Sequence, residues 1–187
     1  MFTEQDFDIF MRALSFAACK HQNQRRKGRA RLPYIHHPIR VAEILWCVGA
    51  VRDMPTLVTA LLHDTLEDTE TSAGELETLF GAEILALVLE VTDDKSLPQA
   101  TRKQLQIEHA PHLSTKARLV KLADKINNVD DVSHDPPEDW TLKRRLEYLD
   151  WAEAVVAGLR GVNPSLEAYF DAVVRKGREM LTEKKSP

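Results

Sequence analysis

A chain of 187 residues with 43% hydrophobic and 29% charged side chains is long enough to bury one core, and it reads as a single domain, 1–187. Its formal net charge of −4 argues against a general nucleic-acid binder, which carries a basic excess. No stretch approaches the roughly 20 apolar residues that a membrane-spanning helix needs.

Taken in order, the segments between glycines and prolines repeat their apolar positions at helical spacing. Phe7, Phe10, Leu14, Ala17 and Ala18 predict a first helix over 6–22. The loop that follows holds five cations in seven residues, Arg25 to Arg31, which suits either a solvated loop or a phosphate-binding rim. Pro38, in Ile35-His36-His37-Pro38, opens a second helix over 38–50, and Pro55 opens a third. Ser72 and Glu75 have the spacing of a capping box, predicting a short helix to about Phe80, and Gly81 separates it from another over 82–91. Thr92 to Pro98 is a polar break. Further helices are predicted over 99–109, 115–130, 139–159 and 163–182, with Lys184-Lys185-Ser186-Pro187 as a frayed tail. No strand-like alternation or internal repeat stands out. The expectation is an all-α fold, one bundle of eight or nine helices with its core over about 5–180.

Cys19 and Cys47 lie in apolar helical stretches and are expected as two free, buried thiols in a reducing compartment. The N-terminus lacks a basic region followed by an apolar core, so no signal peptide is expected, and a cytoplasmic location is.

The chemistry concentrates in Leu61-Leu62-His63-Asp64-Thr65-Leu66-Glu67-Asp68. An imidazole and carboxylates at the end of an apolar run cost several kcal/mol, roughly, for each unpaired buried charge, so something must pair them. On this helix positions four apart share a face, so His63 is expected over Glu67 and Asp64 over Asp68, giving two adjacent polar stripes. A second amphipathic segment, Lys116 to Val129, carries Asp124 and Asn128 four residues apart on one face. With His37 from His36-His37-Pro38, the residues His37, His63, Asp64 and Asp124 would make a two-histidine, two-carboxylate set. Such donors suit Mn²⁺, Fe²⁺ or Zn²⁺.

The same segments resemble the HD superfamily of metal-dependent phosphohydrolases. More narrowly, the chain is similar to the hydrolase domain of the RelA/SpoT homologues and to the stand-alone small alarmone hydrolases. The resemblance rests on Arg25-Arg26-Lys27-Gly28, Pro33-Tyr34-Ile35-His36-His37-Pro38, Ala60 to Thr69, Glu90 to Lys95, Val120 to Asn128 and Glu147 to Trp151, in the family's order. It implies hydrolysis of the 3′-pyrophosphate of (p)ppGpp, giving GDP or GTP, with one Mn²⁺ per chain held by His37, His63, Asp64 and Asp124. It implies that Glu67 and Asp68 position or activate the attacking water. Arg26, Lys27, Asn128, Arg144 and Tyr148 are implied to face the nucleotide. On the residues alone, Tyr148 equally suits a core aromatic and Arg144 a solvated Lys143-Arg144-Arg145 run.

The implied partner is a small nucleotide, with neither nucleic acid nor membrane; the oligomeric state is left open. Gln99 stands where some relatives carry lysine, and the 28–32 loop has additional arginines, so the preferred substrate stays open. No synthetase segment follows, so hydrolysis without synthesis is expected. Related readings keep the site and change the substrate, to (p)ppApp or to NADPH as a phosphatase. A different class is an idle HD domain that binds alarmone, which the full set of acidic and imidazole residues argues against.

Overall fold

Residues 3–183 are described by a computed structural model, in which the chain resolves its helical periodicity almost entirely into α-helix. In order these are α1 (Glu4–Lys20), α2 (His36–Cys47), α3 (Met54–Leu62), α4 (Thr65–Asp68), α5 (Ala73–Phe80), α6 (Ala82–Val91), α7 (Gln99–His109), α8 (Thr115–His134), α9 (Leu142–Leu159) and α10 (Pro164–Glu183). A 3-10 turn spans Ala110–His112, and the β-pairing among the described residues is two isolated bridges, Arg25 with Pro33 and Gly28 with Pro137. The all-α expectation holds. The tenth helix is the single turn α4, which the sequence pattern runs together with α3. The predicted frayed tail, Lys184–Pro187, lies outside the described residues.

Helix ends follow local chemistry. Asp53 caps α3, its Oδ2 accepting the Thr56 amide at 3.0 Å and the Thr56 hydroxyl at 2.6 Å. Pro38 falls in the first turn of α2, where an amide has no intrahelical partner in any case. The complete capping box is at α1, between Thr3 and Asp6. At α5 only half of the expected box forms: Ser72 accepts the Glu75 amide, while the Glu75 carboxylate takes Lys20 Nζ at 2.9 Å.

Helix α8 runs through the middle, packed against α2, α3, α6, α9 and α10. Val120, Leu122, Ala123, Ile126 and Val129 are buried on it, and so are Lys121, Asp124, Lys125 and Asn127. A helix that buries both faces carries its polar side chains to the floor of any cavity beside it. The thiols depart from expectation: Cys19 and Cys47 are both exposed. Each lies two residues beyond a buried position, Ala17 and Leu45, and two helical steps of about 100° turn a side chain to the opposite side. Among the described residues no helix is long and apolar enough to cross a membrane.

The α8–α10 crossing depends on the absence of a side chain at Gly177. A Cβ there would lie 2.3 Å from Ser133 Oγ, which is itself committed to the Val129 carbonyl at 2.7 Å. Gly177→Leu is therefore expected to cost about 1–3 kcal/mol through overpacking. Gly74→Ala, with open space around its Cβ, should be neutral or stabilise by up to ~1 kcal/mol. Urea unfolding of the two variants measures the contrast.

Candidate active site

Helix α3 is buried from Thr56 to Leu62, and its hydrogen-bonded ladder stops there. His63 and Asp64 stand in a turn, which corrects the expectation of an unbroken helix stacking His63 over Glu67 and Asp64 over Asp68. His63 keeps helical dihedrals (φ −57°, ψ −32°), whereas Asp64 (φ −96°, ψ −4°) swings out in ψ and ends the ladder, and side chains take up the last carbonyls of α3. His63 Nδ1 bonds to the Ala60 carbonyl at 2.8 Å, and Thr65 Oγ1 donates to the Leu62 carbonyl at 2.7 Å. The first of these bonds fixes the His63 ring with Nε2 facing inward.

His37, in the first turn of α2, is oriented in the same manner from α8. Its Nδ1 lies 2.9 Å from Asn127 Oδ1, and Asn127 Nδ2 donates to Asp131 Oδ1 at 3.2 Å. That second bond leaves Asn127 Oδ1 to accept, so the hydrogen on His37 sits on Nδ1. The two Nε2 atoms then meet 3.2 Å apart as facing lone pairs, an arrangement that calls for a proton or a cation between them.

Two carboxylates complete the cluster. Asp64 Oδ2 lies 3.5 Å from His37 Nε2 and 3.2 Å from His63 Nε2; Asp124 Oδ1 lies 3.2 and 3.9 Å from the same atoms. Ligand atoms ~2.1 Å from one ion stand ~3.0–3.4 Å apart at octahedral to tetrahedral angles; the three 3.2 Å spacings fall in that range and the 3.5 and 3.9 Å ones lie just beyond it. His37, His63 and Asp124 are buried, while Asp64 is partly open to the cavity.

The local field supports the same reading. Burial opposes charge on Asp64, yet His63 and then His37 hold its carboxyl far below the usual range. For Asp124, Lys125 Nζ at 3.0 Å and then His37 likewise overcome burial. Burial also opposes charge on His63, and Asp64 followed by Asp124 holds it up at about 9. Both carboxylates are thus anionic, and positive charge is drawn to the point between them.

The one-turn helix α4 places the acidic pair beside this cluster. Glu67 Oε2 accepts the Asp93 amide at 3.1 Å, and Oε1 lies 3.6 Å from Arg102 Nη1. Burial raises the Glu67 pKa; the Asp93 amide pulls against it, and the charges of Asp93, Asp64 and Asp68 add to the rise. Asp68 pairs with Lys95 and accepts from the Tyr34 hydroxyl at 3.1 Å; the same hydroxyl reaches Asp64 Oδ2 at 2.7 Å. Burial first, then Asp64 and Asp68, keep Tyr34 protonated well above its ordinary range, so its single hydrogen lies between the two carboxylates, with Asp64 the nearer.

A cavity of ≈ 810 Å³ opens over these groups, and Arg26, Lys27, Asn128, Arg144 and Tyr148 all line it. Arg26 is already engaged: Nη2 donates to Asp131 Oδ2 at 2.5 Å and to Asn128 Oδ1 at 2.8 Å. Asn128 Nδ2 donates in turn to Asp124 Oδ1 at 2.5 Å, linking the basic loop to the cation cluster. Lys27 is exposed, and Arg144 lies on the rim with its guanidinium 4.6 Å from the Trp140 ring centre. Tyr148 is flanked by Trp140 and Trp151 at 5.5 and 5.2 Å, and burial pushes its phenol up to about 12.

The sequence pattern assigned no role to Tyr34, Asn127, Lys125 or Asp131. Asn127 and Asp131 carried one faint signal, the four-residue spacing that lets their side chains meet on α8.

The sequence model of the HD domain matches residues 13–150, and the chain belongs to that family of HD-domain proteins. Among its relatives, the guanosine-3′,5′-bis(diphosphate) 3′-pyrophosphohydrolase MESH1 of Xenopus tropicalis is 51% identical over 166 residues, covering 89% of this chain and 93% of that protein. The Homo sapiens enzyme of the same name is 52% identical over 157 residues, 84% of this chain and 88% of that one. A solved structure of a metazoan SpoT orthologue that hydrolyses ppGpp superposes with a TM-score of 0.89 at 44% identity, covering 94% of this chain and 97% of the other.

Asn127 acts on His37 alone among the four cation-facing residues, which makes the cluster testable through its support. Asn127→Leu is expected to weaken divalent-metal affinity about 10- to 100-fold, measured by Mn²⁺ titration calorimetry.

Proposed function

We propose that this chain is a metal-dependent hydrolase that removes the 3′-pyrophosphate of (p)ppGpp, leaving GDP or GTP, with one Mn²⁺ bound by His37, His63, Asp64 and Asp124. The observation that carries this reading is the convergence, in one cavity, of the mutually close His37, His63 and Asp124, of Asp64 beside both histidines, and of the acidic pair on α4. The named activity of relatives that match nearly the whole chain at about half identity supports the substrate class. A cytoplasmic setting belongs to the same proposal.

A divalent ion held by His37, His63, Asp64 and Asp124 would supply Lewis-acid polarisation of phosphate oxygens and would lower the pKa of water. The chain's own residues do the rest. Glu67, raised by burial and reaching the cavity from α4, accepts a proton from the attacking water, and Asp68 orients that water. Water oxygen bonds to the proximal phosphorus of the 3′-pyrophosphate while the bond to the ribose 3′-oxygen breaks, and the 3′-oxygen leaves as a hydroxyl after taking up a proton. Lys27 meets phosphate oxygens as a point charge, and Arg26, held by Asp131 and Asn128, presents a fixed positive edge to them. Arg144 and the Trp140–Tyr148–Trp151 group offer a cation beside aromatic faces for the rest of the nucleotide.

The Mn²⁺-loaded protein is expected to convert ppGpp to GDP and pyrophosphate in equal amounts. Chelation should abolish turnover and added Mn²⁺ restore it. A parallel panel of ppApp and NADPH tests the neighbouring substrates, and ppGpp left intact while either disappears would overturn the guanosine assignment. Glu67→Gln should lower kcat about 10²- to 10⁴-fold with bound Mn²⁺ unchanged, whereas Asp124→Ala should lose both metal and activity. Wild-type turnover by both variants would show that the site is assigned wrongly.

A further inference from the structure

Helix α4 is a single turn, and it carries both members of the acidic pair. Its own backbone supplies little: Asp68 N–H to the Asp64 carbonyl at 2.8 Å and Thr69 N–H to the Thr65 carbonyl at 3.2 Å. Isolated helical turns are strongly disfavoured, by a nucleation factor of about 10⁻³, so groups outside α4 must hold it in place. The carbonyl of Asp68, at its last residue, has no further turn to bond.

Gln24 supplies that bond. Its Nε2 donates to the Asp68 carbonyl, while its Oε1 lies 2.6 Å from Nδ1 of His21. A carbonyl can only accept, so Gln24 must donate through Nε2, and its Oε1 must accept from an Nδ1–H on His21. His21 caps the C-terminal end of α1, is 1% exposed, and stacks on Tyr34 with ring centres 4.8 Å apart. The Tyr34 backbone amide returns to the Gln24 carbonyl at 3.0 Å, and the Tyr34 hydroxyl reaches Asp64 and Asp68. One chain of contacts thus runs from the end of α1 to the end of α4.

Packing alone does not account for an imidazole at this position. The Nε2 of His21 is buried with no hydrogen-bond partner, an arrangement that costs stability. A phenyl ring would fill the space and stack on Tyr34 without that cost. What only the imidazole contributes is the Nδ1–H that holds Gln24 in the orientation able to donate to Asp68.

We infer that Gln24, locked by the buried ring of His21, is a positioning residue that fixes α4 and with it the placement of Glu67 and Asp68 in the cavity. The inference rests on the functional reading of that acidic pair. Three variants of the full chain, assayed with Mn²⁺ and ppGpp, test it. Gln24→Met keeps the volume and removes the amide. Gln24→Glu keeps the acceptor for His21 but has no donor for the Asp68 carbonyl. His21→Phe keeps the stack and removes the Nδ1–H.

Each variant should lower kcat about 10- to 100-fold, the order expected for displacement of reacting groups by up to 1 Å. KM should stay within about twofold and Mn²⁺ content should be unchanged. The His21→Phe/Gln24→Met pair should be no slower than either single variant, because both act through one bond. Unchanged kcat in both Gln24 variants, with Glu67→Gln and Asp68→Asn inactive, would overturn the inference and leave the functional reading standing. A fall in kcat that tracks loss of Mn²⁺ or of folded protein would overturn it as well. Full activity of Glu67→Gln and Asp68→Asn would overturn the functional reading, and this inference with it.

Discussion

Two imidazole nitrogens 3.2 Å apart, with a carboxylate oxygen of Asp64 and one of Asp124 each within 3.9 Å of both, are the constraint to which the rest of the molecule answers. Left without positive charge, that cluster would set lone pair against lone pair and anion against anion where little water can screen them. His63 is tied from behind by the Ala60 carbonyl, His37 by Asn127 and Asp124 by Lys125 on its other oxygen, Oδ2. Tyr34 and Asn128 instead donate to the inward-facing oxygens themselves, Asp64 Oδ2 and Asp124 Oδ1. These ties hold the four groups facing one another.

Helix α8 supplies most of that support. It contributes Asp124 itself, the Asn127 that orients His37, the Asn128 that joins Asp124 to Arg26, and the Lys121 whose ammonium meets the Val91 carbonyl at 3.0 Å. Lys121 also lies 3.8 Å from Asp93, whose backbone amide in turn holds Glu67. A single buried helix thereby references the cation cluster, the basic loop and the acidic pair to one rigid axis, which is how preorganised sites hold their tolerances.

Much of this was visible in the linear pattern. Nine helical segments could be placed from apolar spacing, Pro38, Pro55 and Ser72, and His63 and Asp64 stood out at the end of an apolar run. Asp124, within a helix, was marked by its spacing to Asn128, and His37, just ahead of the predicted second helix, was joined to them chiefly by the family resemblance. The one-turn helix was not legible, because the break is a single change of ψ at Asp64, with side chains taking the freed α3 carbonyls, and no proline or glycine marks it. Nor was the exposure of Cys19 and Cys47, since composition around a thiol does not say which way its helix face turns.

By itself the amino-acid order determined the helical class, the chemical identity of the donor groups and the presence of a basic loop, because these depend on residues at most one or two turns apart. Tertiary structure alone decided which ring nitrogens face inward, that Arg26 is engaged by Asp131, and that Gln24 meets the end of α4. The reason is distance along the chain: His37 and Asn127 are 90 positions apart, Arg26 and Asp131 are 105, and no local periodicity encodes a meeting across such a span.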